Sequence, residues 1–145
     1  MQQTLILLKP DAVQKSLIGT ILARFEQKGY KIIGLKMLAM SDALIDEHYA
    51  AHAHKPFFPS MREYLQTSPI VAIAIEGDDV LRGARTLCGA TNPADALPGT
   101  IRGDFAKNID NNIIHSSDSE EAAAAEIARF FEKDELYSYG RPLID

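Results

Sequence analysis

The stretch PIVAIAIEG, Pro69 to Gly77, runs in Ile, Val and Ala without a polar break from Ile70 to Ile75 and stops at a glycine. A strand with one wet face alternates apolar and polar residues, whereas a strand covered on both faces reads as a continuous apolar run. The stretch is therefore predicted to be an interior strand, and the rest of the chain must supply its neighbours and the layers above and below it. On its N-terminal side, QTLILLK (Gln3 to Lys9) reads as a second buried strand, ended by Pro10, and KIIGLKMLA (Lys31 to Ala39) as a third, with Gly34 marking a bend. Between them Leu17, Ile18, Ile21, Leu22 and Phe25 recur at helical spacing, and Gly29 ends that helix after a basic last turn.

Two further helices fit between the third strand and Pro69. Ser41 or Asp42 can cap one that runs to about Ala51, and Ser60 with Glu63 forms a potential capping box for a shorter one. After Gly77, Asp78 or Asp79 is positioned to cap a helix ending near Gly89. The following residues, ATNPADALPGTIRGDFAKNIDN, are rich in Pro, Gly, Asn and Asp and show neither period; loops this long inside a domain tend to be functional or disordered. A short strand at Asn112 to His115 and a helix from about Glu120 to Phe131, with Ile127, Phe130 and Phe131 on its inner face, complete the order. This succession suits an α+β fold, a ferredoxin-like four-stranded antiparallel sheet covered by helices in a split βαβ arrangement. Periodicity alone leaves a doubly wound parallel sheet open.

The chain has 145 residues, 46% hydrophobic and 24% charged. That is one domain with a sizeable core, and 1–145 is read as a single unit. A net charge of −5 gives no global basic field, so no specific nucleic-acid partner is expected and any phosphate-binding arginines must act locally. The apolar run Leu5 to Leu8 is too short for a signal core, and nothing reaches membrane-spanning length. The single cysteine, Cys88, fits a reducing cytoplasm and reads as a buried, inert thiol.

Neither GxxxxGK[ST] nor GxGxxG occurs, so a phosphate site would have to be built from side chains. Arg85, Thr91 and Arg102 surround the long loop, and forked guanidinium groups can hold a polyphosphate without a P-loop. In HYAAHAHKPFF (His48 to Phe58), His48 and His52 stand one helical turn apart, the spacing of a zinc pair, but the acid of HExxH is missing. A metal hydrolase using His48, His52 and His54 remains a rival reading, as does a polar helix face. His115 ends an apolar strand, where side chains emerge toward a crevice, and Glu126 on the next helix could fix its tautomer.

NIIHSSDS, TNPADALPGTIRGDF, HYAAHAHKPFF and LLKPDAV together resemble the nucleoside diphosphate kinase family, in the same order and over essentially the whole chain. The resemblance implies transfer of the γ-phosphate of an NTP to an NDP through a phosphohistidine at His115, with Mg²⁺ bound through the nucleotide phosphates. It implies that Lys9 contacts the sugar hydroxyl and the transferring phosphate, and that Tyr49 lies beside the histidine. His52, Lys55, Arg85, Thr91 and Arg102 would hold phosphate oxygens, Phe57 would stack on the base with Ile109 opposite, and Asn112 would bond the ribose 3′-hydroxyl. Ser117 and Glu126 would position the histidine. Stacking does not read base edges, so broad base tolerance follows. Family members assemble as homo-oligomers, tetramers or hexamers, to which the tail YSYGRPLID could contribute contacts. The family usually has glycine after the histidine, where this chain has Ser116. A positive φ there would strain a serine; if only its carbonyl is used, serine serves, and the intact motifs around it favour that expectation. A nonenzymatic nucleotide-binding module on the same fold is the alternative that Ser116 suggests.

Overall fold

The structure, a computed structural model, describes residues 1–140. Four strands, β1 (Gln2–Leu8), β2 (Lys31–Leu38), β3 (Ile70–Gly77) and β4 (Ile114–Ser116), form one sheet in the order β2-β3-β1-β4. Every neighbouring pair is antiparallel, which removes the doubly wound parallel alternative. β3 is interior, paired with β1 from Gln2↔Gly77 to Leu8↔Val71 and with β2 on its other edge. The bulge between Ile32 and Gly34 falls at the glycine expected to mark a bend. A Cβ on Gly34 would come within 2.8 Å of the Leu136 side chain and 3.0 Å of the Phe131 ring, so any larger residue there would have to displace Leu136.

The alternation hidden in IVAIAI divides the core. Val71, Ile73 and Ile75 face one layer, with Ile6, Leu8 and Ile114, packed against α1 (Pro10–Gln14), α2 (Ile18–Lys28) and α5 (Val80–Cys88). Ala72 and Ala74 face the other, where their small side chains are matched by the large rings of Phe58, Phe130 and Phe131. That second layer is made by α3 (Asp42–His48), α4 (Phe58–Leu65) and α7 (Glu120–Phe130). Since successive strand residues point to opposite faces, His115 shares Leu7's side of the sheet, under α7, and Ser116 shares Ile6's side, under α5.

Several local expectations change. Pro10 does more than stop β1, because it opens α1, where a missing N–H costs nothing. The proposed capping box at Ser60 and Glu63 does not form; the helix begins at Phe58, with Pro59 in its first turn. Ser41, not Asp42, caps α3, its hydroxyl accepting from the Leu44 amide at 3.1 Å. Asp79 stands at the N-cap of α5 with φ 52°, but its carboxylate takes Arg82 instead of an amide. The long loop contains a further helix, α6 (Ile101–Phe105), capped by Thr100. The tail lies along the edge of β2, with the Tyr137 amide donating to Ile33 O at 2.8 Å; its last five residues, 141–145, lie outside the described residues.

Candidate active site

Asn112 to Ser116 crosses the C-terminal end of β1, and its backbone is held in an unusual conformation. Ile113 has φ 73°, and the Ile114 amide reaches back to Asn112 O at 2.8 Å, the hydrogen bond of a γ-turn. A β-branched residue with positive φ persists only where its surroundings enforce it. Here the Ile113 amide donates to Asp11 Oδ2 at 3.0 Å and its carbonyl accepts from the Lys9 amide at 2.8 Å. Arg102, buried, closes the turn from beneath, donating to Asn112 O at 3.2 Å, Ile114 O at 2.5 Å and Gly89 O at 2.9 Å. Asp11 in turn accepts from the Tyr64 hydroxyl, tying α1 and α4 to the same point.

The turn delivers His115 to a cleft of about 340 Å³ shared with Lys9, His52, Arg85, Thr91, Arg102 and Asn112. His115 Nε2 lies 2.7 Å from Glu126 Oε1, and Ser117 Oγ donates to the same carboxylate oxygen at 2.8 Å. Burial alone would raise the Glu126 carboxyl, but the hydrogen bonds it accepts from His115 and Ser117 hold it below its ordinary value. A charged carboxylate accepts a proton from Nε2, so the second nitrogen of a neutral ring, Nδ1, carries the lone pair. Nδ1 has no protein partner among the described residues.

Of the cations, Arg85 is exposed at the cleft and donates to Ser116 O at 3.3 Å. Lys9 donates to Asn112 Oδ1 at 2.7 Å; burial first, then the charge of Arg102, against the pull of Asp11, lowers its ammonium to about 8. Asn112 Nδ2 donates to Thr91 O at 3.0 Å. The His52 ring has a buried Nδ1 without a hydrogen-bond partner among the described residues. Lys55 does not line the cleft; its ammonium sits 5.7 Å over the Phe57 ring. A second cleft, about 700 Å³, opens beside the first and shares Lys9 with it. Tyr49, Phe57 and Ile109 line it, Phe57 and Ile109 roughly half exposed. The predicted site residues thus meet around two joined clefts except Lys55, whose ammonium lies over the Phe57 ring, and the fully buried Ser117, which acts through Glu126; Glu126 and Arg102 line the first cleft but act largely through hydrogen bonds inside the chain.

Ser116 does not have positive φ; the described non-glycine residues that do are Ser16, Asp79 and Ile113. Its carbonyl takes Arg85 and its side chain lies buried on the α5 side, beside Cys88. The backbone strain that a positive φ would impose on a serine is therefore absent, and the carbonyl is the group in use. Burial pushes the Cys88 thiol up to about 11 despite the nearby arginines, as an inert thiol requires. His48 is engaged with Arg129 at 2.8 Å and His54 is exposed, and among the described residues no three His, Cys, Asp or Glu side chains come together as metal ligands. Among the described residues, the metal-hydrolase rival therefore has no ligand set. Asp11, Tyr64 and Arg129 had no role in the sequence reading, and His48 entered it only as half of a zinc pair or part of a polar helix face, because their partners lie 50 to 100 residues away and no local pattern signals them.

A histidine with one nitrogen bound to a carboxylate and the other facing a cationic cleft, beside an aromatic slot, belongs to proteins that handle nucleotide phosphates. The family model for nucleoside diphosphate kinase matches residues 2–136. A nucleoside diphosphate kinase of Synechococcus elongatus is 54% identical over 94% of this chain and 91% of its own length, and one of Desulforamulus reducens is 50% identical over 99% and 96%. The solved structure of a halophilic nucleoside diphosphate kinase from Halobacterium salinarum in complex with CDP superposes with a TM-score of 0.93 at 44% identity, over 97% of this chain and 93% of that one. The chain belongs to the nucleoside diphosphate kinase family.

Proposed function

We propose that this enzyme transfers the γ-phosphate of a nucleoside triphosphate to a nucleoside diphosphate by way of a phosphohistidine on His115 Nδ1. The observation that carries the reading is the 2.7 Å contact between Nε2 and Glu126, which leaves Nδ1 unprotonated and open to the cleft. In the first half-reaction Nδ1 attacks the γ-phosphorus, the N–P bond forms as the bond to the bridging oxygen breaks, and the diphosphate leaves. In the second, the terminal oxygen of an acceptor diphosphate attacks the phosphorus and returns the electron pair to Nδ1. Nε2 keeps its proton throughout, and Glu126 stabilises the charge the ring gains. Ser117 anchors Glu126.

The two joined clefts support the division of labour. Arg85, Lys9, Thr91 and the unpartnered His52 nitrogen face the phosphates, with Lys55 held over the Phe57 ring outside the lining of either cleft. Arg102 serves them chiefly by fixing the turn, and Tyr49 lines the second cleft, which Lys9 links to the first. Phe57 and Ile109 form a slot for the base, apolar on both sides and therefore tolerant of any base. Asn112, braced between Lys9 and Thr91, is placed for the ribose hydroxyl.

Mg²⁺ fits this cleft as a nucleotide-borne ion. The carboxylates present are Glu126, already engaged, and Asp118, which has no partner among the described residues and could hold the ion's water shell. When bound, the metal neutralises phosphate charge during transfer. We place the enzyme in the cytoplasm and read it as a homo-oligomer, supported by the half-exposed Leu35 and Met37 on the edge strand β2 and by the exposed Leu97. No helix among the described residues is long and apolar enough to cross a membrane.

Incubation with γ-labelled ATP and Mg²⁺ should give acid-labile, alkali-stable label that an added NDP removes. No label on the wild type, or undiminished label on His115→Ala, would refute the reading.

A further inference from the structure

His48 was open to two readings, a polar helix face or half of a zinc pair, and the structure supports neither. It ends α3 with its ring turned inward, perpendicular to three others: Tyr49 at 4.7 Å, His115 at 5.0 Å and Phe130 at 5.1 Å between centroids. Interplanar angles of 82–84° are the edge-to-face geometry that ring quadrupoles favour, and a ring held by three such neighbours has little freedom to turn. Its Nδ1 lies 2.8 Å from Arg129 Nη1. A guanidinium only donates, so Nδ1 must present its lone pair and the ring proton must sit on Nε2. Arg129 is braced in turn by Glu47, 3.4 Å from its Nε.

We propose that His48 is a positioning residue for His115, a neutral imidazole locked in its Nε2–H tautomer by Arg129, which buttresses the phosphoryl-accepting ring without adding charge beside it. The inference rests on the reading of His115 as phosphoryl carrier. While Nδ1 forms its bond to phosphorus and Nε2 keeps its proton, the His115 ring gains positive character. A protonated His48 at this distance would oppose that change; a neutral one does not. Of the groups facing His48, all but Glu126 act in one direction. Burial first, then the charge of His115 from β4, and those of Arg129 from α7 and Lys9 from the end of β1, push its imidazolium down to about 3, with Glu126 of α7 pulling the other way. Tyr49 beside it is pushed up to about 12 by burial and by Glu126, so it stays neutral as well.

Two measurements test this. Long-range ¹H–¹⁵N correlation spectra of the wild type should show His48 with an unprotonated Nδ1 and a protonated Nε2 from pH 8 down to about pH 5. An Nδ1–H tautomer, or titration near the ordinary histidine value, would overturn the proposal whether or not the protein transfers phosphate. In Arg129→Met, His48 should titrate inside that range, and kcat at pH 5.5 relative to pH 8 should fall about tenfold further than in the wild type, with KM changed by less than about threefold. Adding His48→Phe to Arg129→Met should abolish that extra acid loss, because no titrating ring remains. A wild-type pH profile in Arg129→Met, or an acid loss that survives His48→Phe, would show that Arg129 and His48 only fill space. Absence of phosphotransfer in the wild type would refute the reading of His115 and leave the spectra to decide the tautomer.

Discussion

Lys9 joins the two clefts, and its lowered ammonium ties activity to pH. The ordinary lysine value is 10.5, and burial with the neighbouring Arg102 brings Lys9 to about 8 in the free protein. As pH rises through 8 the free enzyme loses this cation, so kcat/KM for the nucleotide should fall along an alkaline limb centred near pH 8. Lys9→Arg, whose charge persists, should remove that limb. The stability contribution has the opposite sign. Between pH 8 and 10.5 the unfolded chain binds more protons at this site than the native chain, so Lys9's contribution to stability rises with pH across the window where activity declines. Unfolding therefore cannot mimic the effect; a limb near pH 8 retained in Lys9→Arg would disprove the assignment. At this scale much of the site was legible, because LLKPDAV and NIIHSSDS place Lys9, Asn112 and His115 by residue type. Arg102's hydrogen-bonding duty was not, since its carbonyl partners Gly89, Asn112 and Ile114 belong to segments the chain brings together only on folding.

The γ-turn before β4 is the element on which the site depends, and Asp11 is the residue that binds it to the rest of the fold. Holding Ile113 at positive φ costs about 1–3 kcal/mol, offset by the hydrogen bonds around it. Asp11→Ala would leave two donors, the Ile113 amide and the Tyr64 hydroxyl, without their acceptor. It should destabilise the protein by about 2–4 kcal/mol in urea unfolding. kcat should fall while KM for the nucleotide stays within about threefold of wild type, since Asp11 faces the turn and not the clefts. Hydrogen exchange at the Ile113 amide, slow in the wild type, should become fast. Wild-type protection in the variant would show that the turn does not need this anchor. None of this could be read from NIIHSSDS, where NII suggests plain strand; the turn follows from a contact 102 residues distant in sequence. Short helices were illegible for a related reason. α1 and α6 have five residues each, too few for a 3.6-residue period to declare itself, whereas the eleven-residue α2 and α7 were read almost to their ends.

For the whole molecule, PIVAIAIEG announced an interior strand but not the direction of its neighbours, because an apolar run is compatible with parallel or antiparallel pairing. The register that settles it is non-local. Its composition did hold the layer plan, Val71, Ile73 and Ile75 on one face and Ala72 and Ala74, with Ile70, on the other. The opposite case is β2, which borders the sheet and leaves Leu35 and Met37 51% and 57% exposed. The tail covers part of this edge, with Tyr137 bonded to Ile33 O and the Tyr139 hydroxyl to Ile32 O, and among the described residues no tail backbone hydrogen bond reaches the span from Leu35 to Leu38. An uncovered edge with outward apolar side chains invites association with a second copy of the chain, and a net charge of only −5 offers little long-range repulsion against it. Leu35→Glu with Met37→Glu should therefore lower the mass seen by sedimentation or light scattering at micromolar concentration, with far-ultraviolet circular dichroism unchanged because neither side chain lies in the protomer's core. Leu97→Glu, on the loop before α6 and remote in sequence from β2, tests a different surface. If oligomers larger than dimers use both surfaces, each variant should stop assembly at a different intermediate, and the combined variant should be monomeric. A mass unaffected by both would mean that neither surface joins protomers.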